Sequence, residues 1–160
     1  MCSVSVALFF DGASKGNLGV FDASGVIFFP GRLIHLSFSW GLGLMTNNQA
    51  ECYSLLMAIQ LVKGKGFKSI KIFGDSEMLV KTLNTTVTFN NSLLNVILQR
   101  IKTTLKYFDS VESYHILRGL NKFADSLANK GCLLPQGILS IDGEQVYFIL
   151  YHNGISLGCN

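Results

Sequence analysis

The sequence predicts an α/β fold: a mixed five-stranded sheet, three antiparallel strands followed by alternating strand and helix units, flanked by helices and ending in a hairpin-like extension. Three observations carry that expectation. Residues 4 to 40 are short apolar or alternating runs punctuated by Gly, Asn, Asp and Pro. From residue 47 the apolar positions recur at steps of three and four, and beyond Gly66 strand-like and helix-like runs alternate. A hairpin block followed by alternating units requires a mixed sheet with helices packed on it.

The elements follow in order. "VSVALFF" (4–10), "SGVIFFP" (24–30) and "LIHLSFSW" (33–40) read as neighbouring antiparallel strands. In "NNQAECYSLLMAIQLVKGKG" (47–66) Cys52, Leu55, Leu56, Ile59 and Val62 form one helical face, and Gly64 and Gly66 mark its end. "KSIKIFG" (68–74) is a strand, "DSEMLVKTLN" (75–84) a helix opened by an Asp or Ser cap, and 91–108 a further helix. "SVESYHILRG" (110–119) returns to strand, and "NKFADSLANKG" (121–131) to helix, with Asn121 near its cap. In "GILSIDGEQVYFILYHNGISLG" (137–158) Asp-Gly and Asn-Gly turns separate alternating apolar residues, the pattern of a hairpin. Residues 1–132 are expected to form one domain and 133–160 a C-terminal extension on or beside it.

Composition narrows the partners. A chain of 160 residues can bury about two-thirds of its unfolded surface without a metal or disulfide staple. With 49% hydrophobic and 14% charged residues it is not a disordered chain, and a formal charge of +3 permits contact with a polyanion without announcing it. Cys2, Cys52, Cys132 and Cys159 have no zinc-site spacing. Buried reduced thiols at Cys52 and Cys132 suit a reducing compartment, cytoplasmic or nuclear, with an organelle still open. No apolar run approaches the roughly 18 residues that would span a bilayer, so no membrane partner is expected.

Four acids fall at junctions of these elements. Asp11 closes the first strand, Glu51 stands in the first turn of the first helix, Asp75 follows the fourth strand, and Asp125 lies in the first turn of the last helix. Each has an ordinary alternative. Asp11 suits an Asp-Gly turn, Glu51 the capping-box spacing after Asn48, Asp75 an N-cap, and Asp125 the positive end of a helix. Together they suit a shared cleft. Clustered carboxylates raise one another's pKa values until a cation neutralises them, and all-oxygen donors suit Mg²⁺ rather than zinc.

The motifs "FFDGASKGN", "TNNQAECYSLLMAI", "FGDSEMLVKTL" and "HILRGLNKFADSLANKG" resemble, in order and spacing, the type 1 ribonuclease H fold, and most of all the plant ribonuclease H-like domains derived from reverse transcriptases of retrotransposons. The likeness covers residues 4 to 132. It implies that Asp11, Glu51, Asp75 and Asp125 are both catalytic and metal-binding. Asp11 would bridge two Mg²⁺ ions, with Mn²⁺ as a substitute; Asp125 would help hold the ion that positions the water, and Glu51 and Asp75 the one at the leaving group. The implied reaction is hydrolysis of the RNA strand of an RNA/DNA hybrid. The resemblance places Gly12, Ser14, Lys15, Gly16, Asn17, Thr46, Asn47, Asn48 and Ser76 against nucleic acid, Glu51 lying also near the ribose 2′-hydroxyl.

The sequence departs from the family at Leu18, where a proline is frequent, and in the segment Leu117–Leu120, which holds no histidine before Asp125. His115 falls in a strand and reads as structural. "TTVTFNNSLLN" lacks the basic, Trp-rich protrusion of some relatives, so weak affinity for isolated hybrid and slow turnover are expected. The alternative is a weak or inactive ribonuclease H-like domain that binds nucleic acid or a protein.

Overall fold

The computed structural model describes residues 5–14, 19–30, 35–85, 92–121, 137–142, 144–151 and 154–158, with backbone alone for Ser14, 144–151 and 154–158. Strands β1 (Val6–Ser14), β2 (Val20–Phe28) and β3 (His35–Leu44) lead into helix α1 (Asn47–Gly64). Then come β4 (Ser69–Gly74), α2 (Glu77–Leu83), α3 (Ser92–Leu105), β5 (Ser110–His115) and a 3-10 turn, Arg118–Asn121. β6 (Ile138–Ile141), β7 (Glu144–Tyr151) and β8 (Gly154–Gly158) close the chain.

All eight strands join one sheet in the order β5-β4-β1-β2-β3-β6-β7-β8. The first three are antiparallel neighbours, while β1 pairs parallel with β4 and β4 with β5. The expected mixed architecture is present. The strand count differs from the expected five, because the terminal extension continues the sheet: Phe38, Ser39 and Trp40 of β3 pair with Ile141, Ser140 and Leu139 of β6. Asp142 explains part of this docking. It turns the chain at φ 49°, and its Oδ1 accepts the Ser37 N–H at 2.8 Å and the Ser37 hydroxyl at 3.1 Å. The extension thus comprises three strands. The helix expected over 121–131 lies outside the described residues apart from Asn121, as do Cys2, Cys132 and Cys159.

Alternation along β1 sends Val6, Leu8 and Phe10 into the core beneath α1. Phe9, of opposite parity, stacks on Phe73 of β4 with centroids 4.9 Å apart, and Phe73 stacks on Tyr114 of β5 at 5.3 Å. Helix α3 buries Leu94, Ile97, Leu98 and Ile101, a three-and-four stripe, in the core it shares with α1. Helix α1 is buried through most of Ala50–Ile59, which makes it the centre of the molecule rather than a surface helix. It carries two polar side chains, Glu51 and Ser54, into that interior.

Candidate metal centre

The parallel pairing of β1 with β4 brings two of the sequence-selected acids together. Phe9 stands opposite Phe73 in the ladder, and Asp11 and Asp75 each lie two residues further on. Asp75 follows directly on the end of β4, so the pairing sets both acids at the same end of this strand pair. β1 does not stop at Asp11, as the sequence suggested, but runs on to Ser14 through pairing with β2. Asp11 is therefore a strand residue, opposite Ser24, and not a turn residue.

Glu51 arrives from α1. The helix is capped by Thr46, whose Oγ1 accepts the Gln49 N–H at 3.2 Å while Gln49 Oε1 accepts the Thr46 N–H at 2.9 Å. The capping box is thus Thr46/Gln49 and not Asn48/Glu51, which leaves Glu51 beyond the first turn and free of any capping duty. Ser76, not Asp75, caps α2, its hydroxyl accepting the Leu79 N–H at 3.4 Å. Two of the ordinary alternatives for the acids are removed by these observations.

One carboxylate oxygen from each of Asp11, Glu51 and Asp75 lies within 4.8 Å of the others. Asp11 and Glu51 are buried and Asp75 half-buried. Burial foremost, then the neighbouring Asp11 carboxyl and the charge of Asp75, push the Glu51 pKa well above the usual carboxylate range, against a lowering hydrogen bond from the Gly12 N–H. The donor set is oxygen alone and closely spaced. Arg118 pairs with Asp75, its Nε 3.6 Å from Asp75 Oδ2 and its side chain four-fifths exposed. Such a pair is worth little in water. The set therefore fits a hard divalent cation. Asp125, the fourth acid selected from sequence, lies outside the described residues.

The backbone of this corner is crowded. A Cβ on Gly12 would meet Ala50 C at 2.6 Å and Glu51 N at 2.8 Å, both backbone atoms that cannot swing away. Gly12→Ala is expected to cost about 1–3 kcal/mol by forcing β1 and α1 apart. A urea titration that leaves the unfolding midpoint unchanged would show the contact to be softer than its distances.

Of the residues expected to meet nucleic acid, Thr46, Asn47 and Asn48 lie exposed at the entrance of α1, and Ser76 is half-buried beside Asp75. Gly12 is buried under α1. The Ser14 side chain, Lys15, Gly16 and Asn17 lie outside the described residues. Cys52 is buried, and burial with the Glu51 charge pushes its thiol up to about 12, so it is an unreactive core thiol. Two contacts escaped the sequence reading. Ser54 donates its hydroxyl to the Asp11 carbonyl at 2.6 Å, and Asn121 its Nδ2 to the Phe10 carbonyl at 3.0 Å. A signal existed for Ser54, a polar residue one helical turn after Glu51 on an otherwise apolar face.

This fold and acidic cluster together define a domain of the ribonuclease H type. Ribonuclease H1 from Halobacterium salinarum superposes with a TM-score of 0.74 at 33% identity, covering 79% of this chain and 96% of that one. LC11-RNase H1 in complex with an RNA/DNA hybrid superposes at 0.71 with 25% identity, covering 80% and 96%. The chain belongs to the family described as reverse transcriptase-like, which it matches over residues 10–131. It is 34% identical over 125 residues to Ribonuclease HI of Halobacterium salinarum, spanning 63% of that protein and 78% of its own length. It is 29% identical over 132 residues to a putative ribonuclease H protein of Arabidopsis thaliana, spanning 21% of that protein and 82% of its own length.

Proposed function

We propose that the chain is a divalent-metal-dependent endonuclease that hydrolyses the RNA strand of RNA/DNA hybrids. The observation that carries this reading is the meeting of the Asp11, Glu51 and Asp75 carboxylates, from β1, α1 and the end of β4, within 4.8 Å. Similarity to the Halobacterium ribonuclease supports the activity, and the hybrid bound to LC11-RNase H1 supports the substrate. The family match and the Arabidopsis relative support a plant-type, retrotransposon-derived domain.

In this reading Asp11, Glu51 and Asp75, with Asp125 from the sequence pattern, hold Mg²⁺. When bound, two such ions supply an activated water and neutralise the leaving oxygen of a phosphodiester. The protein's own part is placement. Asp11 is held in β1 by its pairing with β2, Asp75 follows the end of β4, and Glu51 stands on a helix buried through most of Ala50–Ile59. Burial and the neighbouring acids raise the Glu51 pKa, so a cation held there would favour its ionised form. Thr46, Asn47 and Asn48 offer neutral polar groups to a sugar-phosphate backbone at the helix entrance.

The test is incubation of the purified chain with a labelled RNA/DNA hybrid and Mg²⁺ or Mn²⁺, beside a chelator and an Asp75→Asn control. Cleavage confined to the RNA strand, and lost in both controls, is the expected result. Hybrid binding without cleavage would replace the enzyme with a binding module of the same fold.

A further inference from the structure

β1 is held on both sides of Asp11 in the chain. The Phe10 carbonyl accepts Asn121 Nδ2 at 3.0 Å. The Asp11 carbonyl accepts the Ser54 hydroxyl at 2.6 Å. Because the peptide unit is planar, the Phe10 carbonyl is rigidly joined to the Asp11 N–H, and the Asp11 carbonyl to the Gly12 N–H. Both peptide planes flanking the Asp11 Cα are thereby pinned, the second by α1 and the first by Asn121. Fixing the two planes fixes the direction in which the Asp11 side chain leaves the strand.

Asn121 is 1% exposed, and its Oδ1 has no hydrogen-bond partner among the described residues. Burying an amide to satisfy one carbonyl while its own oxygen stays unpaired is a poor device for stability alone. The turn that carries it also reaches the other acid-bearing strand, through Arg118 and Asp75. One short turn thus touches both β1 beside Asp11 and the residue after β4.

We propose that Asn121 is a positioning residue of the metal centre, whose amide sets the orientation of Asp11 by holding the peptide plane before it. The inference rests on Asp11, Glu51 and Asp75 being metal ligands. Residues that orient ligands from behind change metal affinity or activity by about 10–100-fold when removed.

Two variants of the full chain test this. Asn121→Ala removes the amide, and Asn121→Leu keeps its shape and burial without the hydrogen bond. Mn²⁺ affinity is measured by calorimetry without nucleic acid, beside hybrid cleavage and thermal melting. In Asn121→Leu the expected result is a near-normal melting temperature with Mn²⁺ bound about 10–100-fold more weakly. kcat should fall while KM for hybrid stays within about two-fold, and excess Mn²⁺ should restore part of the rate. Should Asn121→Ala fail to fold, Asn121→Leu carries the test alone. Unchanged Mn²⁺ affinity in Asn121→Leu would overturn the positioning role and leave the metal centre standing. Failure of the wild-type chain to bind Mn²⁺ would overturn the metal centre, and this inference with it.

Discussion

Replacing Asp11 with asparagine is expected to lower hybrid cleavage by on the order of 10³-fold or more, a loss of about 4 kcal/mol of transition-state stabilisation, without unfolding the chain. The expectation follows from where Asp11 sits. It is 1% exposed and shares the small acidic corner with both Glu51 and Asp75. The substitution preserves size and leaves the backbone bonds from Ser54 and Asn121 in place, since these go to main-chain carbonyls. What it removes is charge. In metal-free buffer that removal relieves the cost of a buried charge beside Asp75 and Glu51, so the melting temperature should hold or rise. The opposite signs separate a ligand from a structural acid. A variant that melts well below the wild type while cleaving hybrid at a comparable rate would mean that Asp11 serves the fold and not the reaction.

The same residue shows how far the sequence could be read. Asp11 stood out as an acid ending an apolar run, yet the strand continues through Gly12, Ala13 and Ser14, residues with little strand propensity of their own. Their pairing with Phe21–Ala23 of β2 makes them strand, and a non-local partner leaves no local signal. The segment "TNNQAE" posed a similar choice, since Thr46/Gln49 and Asn48/Glu51 both have the capping-box spacing. The chain uses the first, and Glu51 is released to the interior. In the tail the Asp-Gly and Asn-Gly turns were legible as hairpin signals. The pairing of β6 on the free edge of β3 was not, because which edge a strand joins depends on what the rest of the sheet leaves open. The convergence of acids was legible for a physical reason. In a mixed sheet, strand ends and helix starts meet in one place, so junction residues 64 positions apart, as Asp11 and Asp75 are, become neighbours.

The raised pKa of Glu51 makes metal-free stability depend on pH, in the direction opposite to that of a salt-bridged acid. Burial and the neighbouring acids hold the Glu51 carboxyl protonated in the folded chain at a pH where the unfolded chain, with a value near 4.5, has lost its proton. The folded state then binds more protons than the unfolded one. Stability must therefore fall as pH rises from about 4.5 through the raised folded value, and level off above it. Each tenfold difference in proton affinity between the two states corresponds to about 1.4 kcal/mol. A divalent cation competes with that proton, so Mg²⁺ should stabilise least near pH 4.5 and progressively more as pH rises through the raised folded value, closing the gap that deprotonation opens. The exposed Glu77, lowered by Lys81, loses its contribution only as pH falls below the ordinary carboxylate range, and Cys52 acts only as pH approaches that of a free thiol, above 8. Melting curves between pH 5 and 8, with chelator and with Mg²⁺, should diverge in this way for the wild type. Glu51→Gln, which keeps an acceptor for the Gly12 N–H, should flatten the metal-free curve; a slope that survives this substitution would assign the proton to another group.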